Sequence, residues 1–173
     1  MCGIIGVVRE GAAASRDRLV AARDLMWHRG PDDAGVWASA TACIGARRLS
    51  IIDLSAAGHQ PMLSEDRERV LVFNGEIYNF HTLRRELEGD FRFTSHTASE
   101  VVLFGPRKWG FDGLLKRLDG MFAFALWDEE KRLLFAARHP PGQKPLHTRP
   151  DGRTSHLPCP LNPLLRSAPA HPP

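Results

Sequence analysis

A cysteine at position 2 has chemistry open to it that an internal cysteine lacks. In MCGIIGVV the thiol directly follows Met1, so removal of that methionine would leave Cys2 with a free α-amino group beside its own side chain. The thiolate is the reactive form of cysteine. An α-amine, with an ordinary pKa of about 7.7–8.0, is suited to accept the thiol proton near neutral pH. One residue then supplies nucleophile and base, an arrangement known for threonine with its own terminal amine. The small second side chain is compatible with methionine removal, Gly3 admits a close approach by substrate, and Ile4 to Val8 can anchor the terminus in a sheet. Two further stretches complement such a nucleophile. Asn74-Gly75-Glu76 follows the apolar run VLVF, and a side-chain amide with a glycine N–H at a strand end can face a developing oxyanion. Arg47-Arg48-Leu49-Ser50 offers a guanidinium at a strand edge, a group that grips carboxylates in a bidentate fork. Each stretch taken alone also fits a plain structural role: a cysteine buried in a strand, a turn dipeptide, a solvated arginine.

These residues need elements to position them. Strand-like runs are predicted at 3–8, 34–38, 41–45, 48–52 and 69–73, and a β-hairpin at 120–127 and 132–138 around the charged turn Asp128 to Lys131. The strand at 120–127 is apolar on both faces, with Met121, Ala123 and Ala125 on one and Phe122, Phe124 and Leu126 on the other, which predicts cover on both sides. Helical periodicity occupies about 14–27, 79–88 and 99–109; in the first, Leu19, Ala22 and Met26 share one stripe. Many short strands with few connecting helices favour an antiparallel α+β layered fold over alternating βαβ units.

Composition limits the functions open to the chain. At 173 residues, 43% hydrophobic and 25% charged, it suits one domain with a sizeable core. The net charge of +3 resides in residues 139–173, where Lys144, Arg149, Arg153 and Arg166 face only Asp151. The body is thus neutral and carries no electrostatic footprint for nucleic acid. No apolar stretch approaches the roughly 20 residues needed to span a bilayer. The N-terminus has no signal-peptide pattern, which predicts a cytoplasmic protein. Cys2, Cys43 and Cys159 form no C-x-x-C pair, so neither a disulfide framework nor a metal site is expected. Ten of the 13 prolines lie in 139–173. Such density works against helix interiors and sheet ladders, and predicts a domain over 1–150 followed by a disordered tail over 151–173.

The ordered set MCGI (1–4), HRGPDD (28–33), RRLSIIDLS (47–55), GHQPM (58–62), NGEIYN (74–79), LDGMFAFALWD (118–128) and KPL (144–146) resembles the glutaminase domain of glutamine-hydrolysing asparagine synthetases, within the class II glutamine amidotransferases. The resemblance spans roughly residues 1–150. It implies a four-layer αββα N-terminal nucleophile hydrolase sandwich of two antiparallel sheets, incomplete at its C-terminal end. It implies that Cys2 attacks the side-chain amide of L-glutamine, releasing ammonia, and that water then hydrolyses the γ-glutamyl thioester. Asn74 and Gly75 would form the oxyanion hole. Arg48 would hold the α-carboxylate, the backbone of Leu49, Ser50, Ile51 and Ile52 would line the pocket, and Glu76 would serve the α-amino side. No cofactor is implied for this step; ATP and Mg would belong to a synthetase domain, a partner that would have to act in trans.

Three departures accompany the resemblance. The family's S-D-T-E block reads Thr97-Ala98-Ser99-Glu100, so Ala98 stands where an aspartate neutralises the substrate ammonium. The family's A-R-D-R-x-G-x-K-P-L-Y becomes Ala137-Arg138-His139-Pro140-Pro141-Gly142-Gln143-Lys144-Pro145-Leu146-His147, predicting damage to the last part of the sheet. The Ser-Gly-Gly-x-Asp-Ser pyrophosphate loop of the synthetase domain is missing from the sequence. The alternative to a glutaminase is accordingly an inactive fragment or a pseudoenzyme that only binds glutamine or a partner.

Overall fold

The computed structural model describes residues 1–9, 11–51, 53–147, 149–151 and 154–159, the last two segments by their backbone. Two antiparallel sheets face each other. One has the strand order β2-β3-β1-β9-β8, built from β1 (Gly3–Val8), β2 (Asp33–Ala38), β3 (Ala42–Arg48), β8 (Arg149–Asp151) and β9 (Thr154–Cys159). The other has the order β4-β5-β6-β7, built from β4 (Met62–Leu63), β5 (Arg69–Ile77), β6 (Gly120–Asp128) and β7 (Leu133–Arg138). Helix α1 (Arg16–Asp24) covers the first sheet, while α2 (Phe80–Leu87) and α3 (Ser99–Leu115) cover the second. The layers run α, β, β, α, the expected sandwich.

The two-residue side-chain period of a strand sorts each sequence into two faces. Ile4, Ala42, Ile44 and Ala46 of the first sheet meet Val70, Val72, Ala125 and Trp127 of the second in the space between them. The intervening residues point outward. Ile5, Val7 and Cys43 pack with Leu19, Ala22 and Met26 beneath α1. Leu71, Phe73, Phe122, Phe124 and Leu126 pack with Leu83, Leu87, Val101, Val102 and Leu114 of α2 and α3. Burial on both faces explains why β6 reads as continuously apolar.

Several boundaries differ from expectation, each for a physical reason. The runs at 41–45 and 48–52 are not two strands. One strand, β3, pairs with β1 and β2 as far as Arg48, after which the Ser50 N–H leaves the ladder and donates to Asp32 Oδ2 at 2.8 Å. Strand β5 does not stop at 73: Asn74, Gly75 and Glu76 continue pairing opposite Ala123, Phe122 and Met121. The helix expected over 99–109 extends to Leu115 through a break at Gly110, whose φ of 70° leaves the helical region. The tail expected to be disordered contributes β9 over Thr154–Cys159, pairing with β1 from Ile4 to Val8, so the first sheet is not cut short. Strand β1 has β3 on one side only, and its other row of backbone groups requires partners. Pro158 is tolerated because, among the described residues, β8 pairs only with Thr154 to His156 and no strand flanks Pro158 on that side. Residues 160–173 lie outside the described residues.

Trp127 is 1% exposed at the centre of the inter-sheet core, whereas Leu133 is 46% exposed at the sheet edge. Trp127→Ala is expected to cost about 3–5 kcal/mol, and Leu133→Ala within about 0.5 kcal/mol, measured by urea unfolding.

Candidate active site

Register and period bring the separated motifs to one end of the inter-sheet space. Ile4 opposes Ala46 and both side chains face the second sheet. Gly3 opposes Arg47, so one step further Cys2 comes opposite Arg48 with both side chains on that same inner face. On the second sheet Val70 and Val72 face inward, which puts Asn74 and Glu76 inward at the same end. A cavity of about 150 Å³ opens there, lined by Cys2, Arg48, Leu49, Ile51, Asn74, Gly75 and Glu76. It would hold about five waters at liquid density, the scale of a single small metabolite.

Not every expected pocket residue lines it. Ser50 does not; its N–H is held by Asp32. Ile51 lies at the rim, 72% exposed. Ile52 lies outside the described residues. The Cys2 thiol is half-buried and points at the Leu49 carbonyl, 3.9 Å away, while Arg29 Nε donates to the Cys2 carbonyl at 3.3 Å. Asn74 is 1% exposed. Cys43 is the contrasting thiol: burial beneath α1 raises it from 9.0 to about 11, and Arg16 only partly offsets this, so it is the inert cysteine of the two.

Arg48 is buried and tied to the loop that follows it. Its Nη1 donates to the Ser55 carbonyl at 3.0 Å and its Nη2 to the Asp53 carbonyl. A guanidinium has further N–H groups to direct elsewhere. Gly58 makes room for it: a Cβ there would lie 2.6 Å from Arg48 Cζ. Gly75 answers a similar constraint, since a Cβ would lie 2.6 Å from Phe122 Cα on the neighbouring strand. The Asn-Gly pair is therefore not a turn. It sits inside a strand where two backbones approach closely.

Asp53 escaped the sequence reading as a site residue, although it stands within RRLSIIDLS. Its Oδ1 accepts from Ser55 N at 2.8 Å and Ser55 Oγ at 2.6 Å, and its Oδ2 from His96 N at 2.9 Å. It joins the Arg48-bearing loop to the segment before α3. The Ser55 hydroxyl, then the His96 and Ser55 N–H groups, bring its carboxyl down from 3.8 to about 2, against a smaller opposing effect of burial. Glu100, 2% exposed, accepts from Thr94 N, Thr94 Oγ1, Ser95 N and Ser95 Oγ at 2.6–3.1 Å and fixes that same segment. Gln60 Oε1 accepts from Phe73 N at 2.8 Å, bracing β5 just before Asn74. Ala98 lines the cavity at the cap of α3, without a side-chain cap. Lys144, from the KPL motif, also lines the cavity and is 7% exposed. Asp53, Gln60 and Lys144 stand within motif blocks, but the contacts of Asp53 with His96, of Gln60 with Phe73 and of Lys144 with Met1 span 43, 13 and 143 positions and have no local signature. Among the described residues no cluster of His, Cys, Asp or Glu is placed to hold a metal ion, and no helix is long and apolar enough to cross a membrane.

A cysteine-bearing strand end, an inward arginine and an inward Asn-Gly meet between facing antiparallel sheets, and the sandwich that carries them has the N-terminal nucleophile hydrolase fold. A family model for a glutamine amidotransferase domain matches residues 1–165, and the chain belongs to that family. Its curated relatives include proteins named as asparagine synthetases. It is 40% identical over 149 residues to asparagine synthetase B (glutamine-hydrolysing) of Escherichia coli K12, covering 85% of this chain and 26% of that protein. It is 45% identical over 166 residues to a Mycobacterium tuberculosis H37Rv protein provisionally named a glutamine-hydrolysing asparagine synthetase, covering 84% of this chain and 25% of that one. The chain thus spans about a quarter of the length of these curated relatives, corresponding to their glutaminase region. The solved glutamine phosphoribosylpyrophosphate amidotransferase of B. subtilis, in complex with ADP and GMP, superposes with a TM-score of 0.78 at 19% identity, covering 96% of this chain and 43% of that one. At that identity the likeness concerns the fold.

Asp53 makes stability depend on pH in a definite direction. Its folded value of about 2 lies below the ordinary 3.8. Its contribution is therefore complete above about pH 4 and fades as pH falls through about 2. Asp53→Asn is expected to be less stable than the parent at neutral pH and to converge with it near pH 2, in urea titrations across that range. Gly75→Ala is expected to cost about 1–3 kcal/mol by forcing β5 from β6, read in the same assay at pH 7.

Proposed function

We propose that this chain hydrolyses L-glutamine to glutamate and ammonia through Cys2, after removal of Met1, in the cytoplasm, and that the ammonia serves ATP-dependent asparagine synthesis by a synthetase domain. The observation that carries the reading is the convergence of Cys2, Arg48 and Asn74 on the inner faces of two sheets, around one small cavity.

In this reading the freed α-amine of Cys2 takes the thiol proton, and Sγ attacks the glutamine carboxamide carbon. The tetrahedral oxyanion rests on the Asn74 side-chain amide and the Gly75 N–H. The C–N bond breaks, the proton held by the amine leaves with ammonia, and a γ-glutamyl thioester remains. Water, deprotonated by the same amine, then cleaves the thioester and restores the thiol. Arg48 directs its remaining N–H groups to the substrate α-carboxylate. The backbone from Leu49 to Ile52 lines the substrate, and Glu76 faces the α-ammonium.

The resemblance implies an aspartate at the ammonium site, and this chain has Ala98 there. With a methyl group at Ala98, and both Asp53 oxygens taken by Ser55 and His96, Glu76 is the carboxylate left for the ammonium. A charged hydrogen-bond partner is worth about 1.5–3 kcal/mol, or roughly ten- to hundredfold in affinity. Cys2→Ala is expected to abolish ammonia release from glutamine. Ala98→Asp is expected to lower the glutamine KM by about tenfold or more. Glutamine bound without Cys2-dependent ammonia release would identify a binding module instead, and an unchanged KM in Ala98→Asp would remove the ammonium argument.

A further inference from the structure

Lys144 is a buried cation without an ionic partner among the described residues. It is 7% exposed and lines the same cavity as Cys2. No carboxylate of the described residues lies within 4.0 Å of its ammonium. Its contact is Nζ to the thioether Sδ of Met1, at 3.0 Å. A thioether is a weak acceptor, and a buried charge needs pairing and hydrogen bonds. Under the proposed mechanism Met1 is the residue that leaves. Its departure strips Nζ of that contact and opens a space beside the nucleophile, facing a cation.

The two cavity cations hold different places. The Arg48 guanidinium is drawn to the loop carbonyls of Asp53 and Ser55. The Lys144 ammonium sits against the side chain of the residue next to Cys2. An amino acid with its α-carboxylate on Arg48 and its side-chain terminus at Cys2 brings its reacting end to the Lys144 side. Before reaction that end is a neutral carboxamide; after hydrolysis it is a carboxylate. The carboxylates of the cavity wall do not pair with Lys144: Asp53 and Glu76 both lie beyond ion-pair distance of its ammonium. We infer that Lys144 recognises the side-chain carboxylate of the product, so that this site retains glutamate in preference to glutamine. This rests on the glutaminase reading above. It makes Lys144 a specificity-determining residue, with product retention as its consequence.

The test uses the chain with Met1 removed, checked by mass spectrometry, carrying Cys2→Ala so that glutamine is bound and not consumed. Calorimetric titration with glutamate and with glutamine is compared between Lys144, Lys144→Met and Lys144→Arg. Lys144→Met keeps an unbranched apolar stem, and a retained cooperative thermal transition shows that it folds. The expected result is a loss of glutamate affinity of about tenfold or more in Lys144→Met, with glutamine affinity changed by less than about threefold, and recovery in Lys144→Arg. Equal weakening of both amino acids, or no change in either, overturns the inference and leaves the glutaminase reading standing. Failure of the Lys144 parent to bind either amino acid overturns both.

Discussion

The antiparallel register of β1 on β3 is the constraint on which the rest of the site depends. Because side chains alternate along a strand, pairing Ile4 with Ala46 obliges Cys2 and Arg48 to share a face and an end. A slip of one residue would turn the thiol toward α1 and bring Gly3 to the cavity. The register is protected by what it buries. Ile4 and Ile44 belong in the inter-sheet core while Ile5 and Cys43 belong beneath α1, and a slip of one residue would violate both layers. The geometry of the candidate site is a by-product of core packing on two faces of one sheet.

Buried polar groups then turn a strand end into a rigid wall. The loop after β3 has no ladder to hold it, so side chains supply the hydrogen bonds. Asp32 takes the Ser50 N–H, Arg29 takes the Cys2 carbonyl, and Asp53 ties Ser55 to His96. Arg29 and Asp32 are therefore supports of the Cys2 backbone and of the pocket backbone. The buried carboxylate of Glu100 is affordable because four donors surround it. Such residues act through others, holding donors and acceptors at fixed positions around the cavity.

Much of this architecture was legible in the chain. The apolar alternation of 120–127 predicts a strand covered on both sides, and β6 is one. The stripe of Leu19, Ala22 and Met26 is buried as periodicity requires. The errors fall where local pattern and tertiary pairing compete. Asn-Gly is ordinarily a turn signal, yet β6 draws it into a strand. Proline density speaks against sheet, yet the open edge of β1 recruits Thr154–Cys159. Ser50 and Ile51 follow an apolar run that reads as a strand, yet Asp32 pulls their backbone out of the ladder.

The sequence by itself determined the residue types, the two-residue period and the ordered motifs, and through them the family and the layer pattern. These are local or compositional properties, readable without coordinates. Tertiary structure alone decided which separated groups meet. That Asp53 reaches His96 across 43 positions, that Ala98 faces the same cavity as Glu76, and that Lys144 lies against Met1 from 143 positions away all depend on sheet order and loop path. Contacts of that range carry no periodic or propensity signal, because what creates them is the packing of whole layers and not the preference of any segment.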